Sequence, residues 1–298
     1  MLLAQDQEGV LEMPGTWPQV ATESLVGVDW LRGHVEDPGV VPLEVGEDAS
    51  AYHLGHIPGA TSLSWLDDLN EPDRRGAPSQ SRMEALLGAR GITRDTHLVL
   101  YGDQDNAFAA YALWMLRYYG HFRASLLDGG RRAWLAAGAP VTDQSPTRLR
   151  AQYVASPPDE GLRLTRDTVL ERFVAQRGDT TLIDCRTPAE YHGEARSAID
   201  VPVLRHRLGG HIPGARNISH VDLLIPHTGQ LRPQPELRAL FAANGIGPES
   251  DIGVYCSVGE RSALCWFALQ EVLDFPRVRL YDGGWAEYGS LVGAPVHR

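Results

Sequence analysis

Residues 55–60 read Gly-His-Ile-Pro-Gly-Ala, and the same six residues return at 210–215. Two further motifs recur in the same order and at nearly the same spacing. They are Asp-Gly-Gly at 128–130 and 282–284, and Gly-Ala-Pro-Val at 138–141 and 293–296. Ordered matches at a nearly constant offset indicate a duplicated domain of about 120–130 residues in each copy. The sequence therefore predicts two similar halves within one chain.

Within both halves, short apolar runs alternate with longer amphipathic ones, which is typical of an α/β domain built on a mainly parallel sheet. Predicted strands lie at 40–45, 98–101, 124–127, 181–184, 252–255 and 278–281, and predicted helices at 106–119, 170–176, 235–243 and 263–273. We expect an N-terminal lead at 1–21, a first domain at 22–141, a linker at 142–163 and a second domain at 164–298. The polar, proline-bearing linker has room for one strand near Leu149–Val154.

The composition is that of a soluble globular protein, with 43% hydrophobic and 22% charged residues. A net charge of −11 argues against a nucleic-acid binder, which needs a basic face. No apolar run approaches the roughly 20 residues that span a bilayer, and the acidic N-terminus does not resemble a signal peptide. Three cysteines do not make a disulfide framework, so we expect a cytoplasmic protein, with a monomer as the default state.

The stretch 254–262, Val-Tyr-Cys-Ser-Val-Gly-Glu-Arg-Ser, places Cys256 directly after a predicted strand and before a predicted helix. Converging backbone N–H groups and the positive end of the helix dipole favour a thiolate at such a position. Arg261 adds a cation with planar donors suited to an oxyanion. The loop residues between and beside them, which we expect to contribute to the anion cradle, are Ser257, Val258, Gly259, Glu260 and Ser262.

The corresponding loop of the first half has no cysteine and no arginine. Gly102 stands where Cys256 stands, and two carboxylates, Asp103 and Asp105, follow it. Arg186, which follows the 181–184 strand, is likewise replaced by glycine in the first half. Because both cations are missing from the same half, we expect the first domain to be inactive and Arg186 to bind the substrate anion.

The remaining cysteines and the histidines are expected to serve the fold. Cys185 and Cys265 lie among apolar residues and are predicted to be buried packing residues. His56 and His211 belong to the repeated motif, and the 11 histidines show no metal-ligand spacing, so no metal and no cofactor are predicted.

Together these motifs resemble the two-domain form of the rhodanese (thiosulfate sulfurtransferase) superfamily. The resemblance covers about residues 22–298 and is carried by the repeated Gly-His-Ile-Pro-Gly-Ala, by Asp-Cys-Arg at 184–186, by the Cys256 loop and by the closing Tyr-Asp-Gly-Gly-Trp at 281–285. It implies that the Cys256 thiolate attacks the outer sulfur of thiosulfate, releases sulfite and holds a persulfide. A thiophilic acceptor such as cyanide then takes the sulfur. Arg186 would bind the sulfonate.

Three other functions remain open. The loop lacks the basic pair of the vertebrate thiosulfate enzymes and the Gly-Ser-Gly-Val-Thr of mercaptopyruvate enzymes. Ser257 is small and polar and leaves a carboxylate donor possible, so 3-mercaptopyruvate is an alternative donor. A Cdc25-like phosphatase uses a Cys-x5-Arg loop, whereas four residues separate Cys256 from Arg261 here. A non-catalytic interaction module with the same fold is the third alternative.

Overall fold

The computed structural model describes residues 23–71, 76–175, 180–196 and 208–298. The predicted lead at 1–21 lies outside the described residues. The α/β class and the duplication are confirmed: the described residues form two parallel sheets, each flanked by helices. No helix among these residues is long and apolar enough to cross a membrane.

The first sheet has the strand order β1-β5-β4-β2-β3, with every neighbouring pair parallel. Its strands are β1 (Leu25–Val26), β2 (Val40–Gly46), β3 (Thr61–Ser64), β4 (His97–Tyr101) and β5 (Ala124–Leu127). Every residue of β4 and β5 is buried, as expected for strands covered by helices on both faces. The predicted strands of this half are therefore confirmed, with small differences at their ends.

The second sheet has the order β7-β6-β8-β9 and is also parallel. Its strands are β6 (Thr180–Asp184), β7 (Arg216–Asn217), β8 (Asp251–Tyr255) and β9 (Val278–Leu280). In register, Asp184 lies opposite Tyr255, just as Glu44 lies opposite Tyr101 in the first sheet. These pairs identify the equivalent positions of the two halves.

Helices connect the strands of each sheet. In the first half they are α1 (Val28–His34), α2 (Ser50–Leu54), α3 (Gln80–Ala89), α4 (Ala107–Tyr118) and α5 (Gly130–Ala136). In the second half they are α6 (Arg166–Thr168), α7 (Pro188–Tyr191), α8 (Gln234–Ala243), α9 (Glu260–Phe267) and α10 (Gly284–Tyr288), with π-helical turns at Val169–Ala175 and Ala268–Val272. Short 3-10 turns lie at Gln104–Asn106, Glu160–Leu162 and His220–Leu223.

The two domains pack through their central helices, α4 and α9. Every residue of α4 is buried, because its sequence is apolar on all sides rather than along one stripe. All of α9 is buried except Arg261, which lies in the first turn and is partly exposed. A single hydrophobic cluster runs through both domains. The helix that follows Cys256 is thus held by the first domain as well as by its own sheet.

The linker has no strand at 149–154, so that expectation was wrong. The segment is extended, but it bonds to the first domain through isolated contacts rather than through a strand ladder. Ala151 N–H donates to the Gly88 carbonyl at 2.9 Å, and Ala155 N–H donates to Glu84 at 3.0 Å. The Tyr153 ring is buried against His121. Because its partners Gly88 and Glu84 belong to helix α3 and not to a strand, the segment cannot form a regular β-ladder.

The repeated motif serves the fold in the same way in both halves. His56 stacks on Tyr52 with ring centroids 3.8 Å apart, and His211 stacks on Tyr191 at 3.6 Å. The backbone N–H of the next residue, an isoleucine in each copy, donates to the hydroxyl of the strand-end tyrosine, at 3.0 Å in the first half and 3.2 Å in the second. The motif therefore fixes a turn against the end of the central strand.

Candidate active site

Cys256 lies in the loop between β8 and α9, at the carboxyl edge of the second sheet, where sites of parallel α/β domains are found. The helix begins at Glu260, three residues before the predicted start at 263. Gly259 precedes it with φ of 104°, a conformation that favours glycine. A Cβ atom at Gly259 would also come within 2.9 Å of the Tyr111 ring from α4. The first domain therefore packs directly on the loop.

The Cys256 thiol is buried and hydrogen-bonds with Gly259 and Glu260. Its Sγ accepts from the Gly259 N–H at 3.2 Å and donates to Glu260 Oε2 at 3.1 Å. Burial raises the pKa of the Cys256 thiol to about 11; the Glu260 carboxylate raises it too, while Arg261 and hydrogen bonds from Ser262 oppose the rise. This direction runs against the resting thiolate expected from the sequence. Loss of water around the sulfur and a neighbouring negative charge outweigh the loop dipoles and the cation.

Arg261 lies at the centre of a network of charges beside the thiol. Its Nη1 and Nη2 donate to Glu190 at 2.7 and 3.1 Å, and its Nε donates to Glu260 Oε1 at 3.0 Å. Nη2 also donates to the Ser257 hydroxyl at 3.0 Å. Glu260 thus bridges the thiol through one oxygen and the guanidinium through the other. The two carboxylates together outnumber the single cation by one charge.

Glu190 is held in place by a capping box at the start of α7. Its Oε2 accepts from the backbone N–H and the hydroxyl of Thr187, and the Thr187 hydroxyl accepts from the Glu190 N–H. Burial opposes ionisation of this carboxyl, but the Arg261 guanidinium and the Thr187 donors outweigh it and lower the pKa of Glu190. The contact between Glu190 and Arg261, which lie far apart along the chain, was not predicted from the sequence. The Thr-Pro-x-Glu spacing at 187–190 is the signal for the capping box, but it does not identify the cation.

The structure places Arg186 away from solvent, with a relative exposure of 1%. Its Nε donates to Asp184 at 3.0 Å, and its Nη2 donates to Asp184 at 2.6 Å and to the Gly210 carbonyl at 2.7 Å. Its guanidinium also lies over the Trp285 ring, 4.6 Å from the centroid. These contacts occupy the donor groups with partners inside the domain.

The first half makes the same set of contacts with an arginine from another place in the chain. Arg131, in α5, donates to Glu44 and to the Gly55 carbonyl. Glu44 and Gly55 are the equivalents of Asp184 and Gly210. The expectation that Arg186 binds the substrate anion because the first half lacks this cation is therefore corrected. Both halves keep the cation, and in both it joins a buried carboxylate to the repeated motif.

The equivalent loop of the first domain is closed to a nucleophile at Gly102. A Cβ atom there would collide with the Val45 carbonyl oxygen. The Asn106 side chain occupies the loop instead, accepting from the Gly102 N–H at 2.9 Å. The two carboxylates that follow pair with arginines of α5, Asp103 with Arg131 and Asp105 with Arg132. A cysteine at Gly102 would therefore require β2 to move.

The other loop residues and the remaining cysteines are buried beside this network. Val258 is buried with 1% exposure, and the Ser262 hydroxyl donates to the Gly259 carbonyl at 2.9 Å within the first helical turn. Cys185 and Cys265 are buried as free thiols in the core cluster. Within the described ranges, no group of histidine, cysteine or carboxylate side chains has a geometry that could hold a metal ion.

Comparison with known proteins gives consistent matches along the chain. The model of the rhodanese-like domain matches twice, at residues 27–137 and 167–291. The "Sulfur carrier protein TtuD" of Thermus thermophilus is 42% identical over 275 residues, covering 92% of this chain and 96% of that protein. A "Putative thiosulfate sulfurtransferase" of Mycolicibacterium smegmatis is 40% identical over 275 residues, covering 92% and 98%.

One solved structure supports the fold. The anaerobic ergothioneine biosynthesis enzyme from Chlorobium limicola, solved with its natural substrate trimethyl histidine, superposes with a TM-score of 0.80. The match covers 92% of this chain and 70% of that one at 24% identity. At that identity the likeness concerns the arrangement of the two domains and not the substrate.

Proposed function

The chain belongs to the rhodanese-like family of sulfurtransferases, whose domain it contains twice, and we propose that it moves the outer sulfur of thiosulfate to a thiophilic acceptor through a persulfide on Cys256. One observation carries the proposal. Cys256 directly follows β8, an inner strand of the second sheet, and contacts both a backbone N–H and a carboxylate, whereas the equivalent Gly102 has no room for a side chain.

The proposed reaction has two steps. The Cys256 sulfur attacks the outer sulfur of thiosulfate, the S–S bond breaks, and sulfite leaves with the bonding electrons. The acceptor then attacks the outer sulfur of the persulfide, and the Cys256 sulfur leaves with its electrons. The Gly259 N–H, which donates to Sγ, would bind the sulfur of the intermediate.

Arg261 is the cation that we assign to the sulfonate end of the donor. Its side chain is 12% exposed, whereas Cys256 is fully buried. Entry of the anion would then exchange the Arg261–Glu190 pair for an Arg261–sulfonate pair. Ser257, whose hydroxyl contacts both Arg261 and Glu190, would contact the same end of the donor. Arg186 is not included in this site, because its donors are occupied by Asp184 and Gly210.

The test is thiocyanate formation from thiosulfate and cyanide by the full chain, with Cys256→Ala as the control. The neighbouring Cys265→Ala, which removes a core thiol outside the loop, is the matched variant. We expect turnover in the wild type and in the Cys265 variant, and none in the Cys256 variant. Faster turnover with 3-mercaptopyruvate would change the donor, and absence of turnover and of any persulfide with either compound would favour the interaction module.

A further inference from the structure

The Cys256 thiol and the Glu260 carboxylate form a direct hydrogen bond inside the buried loop. The distance from Sγ to Oε2 is 3.1 Å, within the reach required of a nucleophile and its base. The Gly259 N–H donates to the same sulfur from within the loop. The thiol proton therefore has an acceptor in contact, and the sulfur has a donor that can stabilise it after the proton leaves.

Glu260 is oriented by a third group. Its Oε1 accepts from Arg261 Nε at 3.0 Å, and Arg261 is itself fixed by Glu190 at 2.7 Å. Glu260 is the first residue of α9 and is 2% exposed, so water does not compete for its oxygens. This is the arrangement of a nucleophile, a base and an orienting group.

The charged and titratable groups around the thiol explain why a base is needed. Arg261, Cys185 and His220 act on Cys256 or Glu260, and Glu190 acts through its pairing with Arg261. Arg261 already makes salt bridges to two carboxylates, and burial lowers the pKa of His220 so that it is neutral at neutral pH. No surplus positive charge among the described groups favours a thiolate. A thiol attacks poorly until its proton is removed.

We propose that Glu260 is the general base that removes the Cys256 proton as the sulfur attacks, and the general acid that passes this proton to the departing sulfite. The Sγ–H bond breaks, the proton passes to Oε2, and the electron pair of sulfur forms the new S–S bond to the donor. The old S–S bond gives its electrons to sulfite, which takes the proton from Glu260. In the second step the Cys256 sulfur leaves as a thiolate and takes a proton from water, which restores the resting thiol. This role rests on the proposed function.

The test compares full-length wild type with Glu260→Gln. Persulfide on Cys256 is measured by mass spectrometry after single turnovers with thiosulfate across a series of pH values. At neutral pH we expect the variant to form persulfide about 10²-fold more slowly, the usual range of a lost general base. We expect its rate to rise with pH as the thiolate forms without help.

The same substitution separates catalysis from simple electrostatics. Removing the Glu260 charge lowers the pKa of the thiol, which is followed by thiolate absorbance against Cys256→Ala. A carboxylate that only disfavours the thiolate would therefore make the variant faster at neutral pH, and that result would overturn the proposal. Glu190→Gln is the matched control, because it removes a carboxylate from Arg261 that does not touch the sulfur. An identical change of pH profile in that control would also overturn it.

A further measurement needs no substitution, so it holds even if the variant fails to fold. With Glu260 as base, the wild-type rate of persulfide formation does not depend on the fraction of free thiolate, so it is level around neutral pH. A rate that climbs steadily towards pH about 11 would contradict the role. If the wild type forms persulfide and Glu260→Gln forms it at the same rate, the role of Glu260 as base is contradicted and the proposed function is not. No persulfide in the wild type contradicts the proposed function and this role together.

Discussion

Replacing Arg186 by methionine tests whether this buried arginine stabilises the domain or binds substrate. The substitution leaves Asp184, which is fully buried, without its cation. It also removes the hydrogen bond to the Gly210 carbonyl and the stacking on Trp285. Breaking a buried ion pair by removing one partner costs about 3–5 kcal/mol of unfolding free energy. With a urea dependence of about 3 kcal/mol per molar, the midpoint would fall by roughly 1–1.7 M.

The assay is urea unfolding followed by tryptophan fluorescence, together with the Michaelis constant for thiosulfate in the folded protein. Arg131→Met is the matched control, because Arg131 makes the equivalent contacts in the first domain, outside the Cys256 loop. We expect both variants to lose stability and both to keep the Michaelis constant of the wild type. A Michaelis constant raised at least tenfold in the Arg186 variant alone, at unchanged stability, would refute the structural role.

Two further predictions follow from the described geometry. Gly102→Cys combined with Cys256→Ala should show no sulfur transfer and reduced thermal stability, because the new Cβ would collide with Val45; the measurements are thiocyanate release and the melting temperature. Burial, and after it Arg94, lowers the pKa of His121 to about 3, against 6.5 in the unfolded chain. Below pH 6.5 the unfolded chain therefore binds a proton that the folded protein does not, and stability falls as the pH falls. His121 should lower the unfolding free energy by about 2 kcal/mol between pH 6.5 and 5. Urea unfolding at both pH values should show that His121→Gln loses less unfolding free energy than the wild type over this range. An equal loss in the two proteins would contradict the prediction.

The buried thiol and the proposed base Glu260 would keep the Cys256 sulfur protonated until a donor arrives. Because Arg261 is paired with two carboxylates, the loop does not hold a free cation beside an exposed thiolate. An arriving sulfonate would compete with Glu190 for Arg261, and the nucleophile would form as the proton moves to Glu260. Selectivity for a sulfur donor over other electrophiles would follow from this requirement.

Much of the protein could be predicted from sequence alone. The repeated motif at 55–60 and 210–215 predicted the duplication, since two copies of one folding unit preserve the same turn. Apolar runs predicted the parallel strands, because strands covered on both faces are continuously hydrophobic. The position of Cys256 after its strand predicted the site, because the carboxyl ends of parallel strands lie at one edge. These are local properties, and each is present in a short stretch of chain.

The tertiary structure alone decided the partners of the charged groups and the state of the thiol. Arg186 and Arg131 are not equivalent along the chain, yet each joins a buried carboxylate to a repeated glycine carbonyl. Comparing one position at a time therefore suggested a missing cation that the first half supplies from α5. The protonation of Cys256 likewise depends on burial beneath packed helices and on the carboxylate of Glu260. Desolvation and ion pairing depend on which elements meet in space, and the order of residues does not specify that.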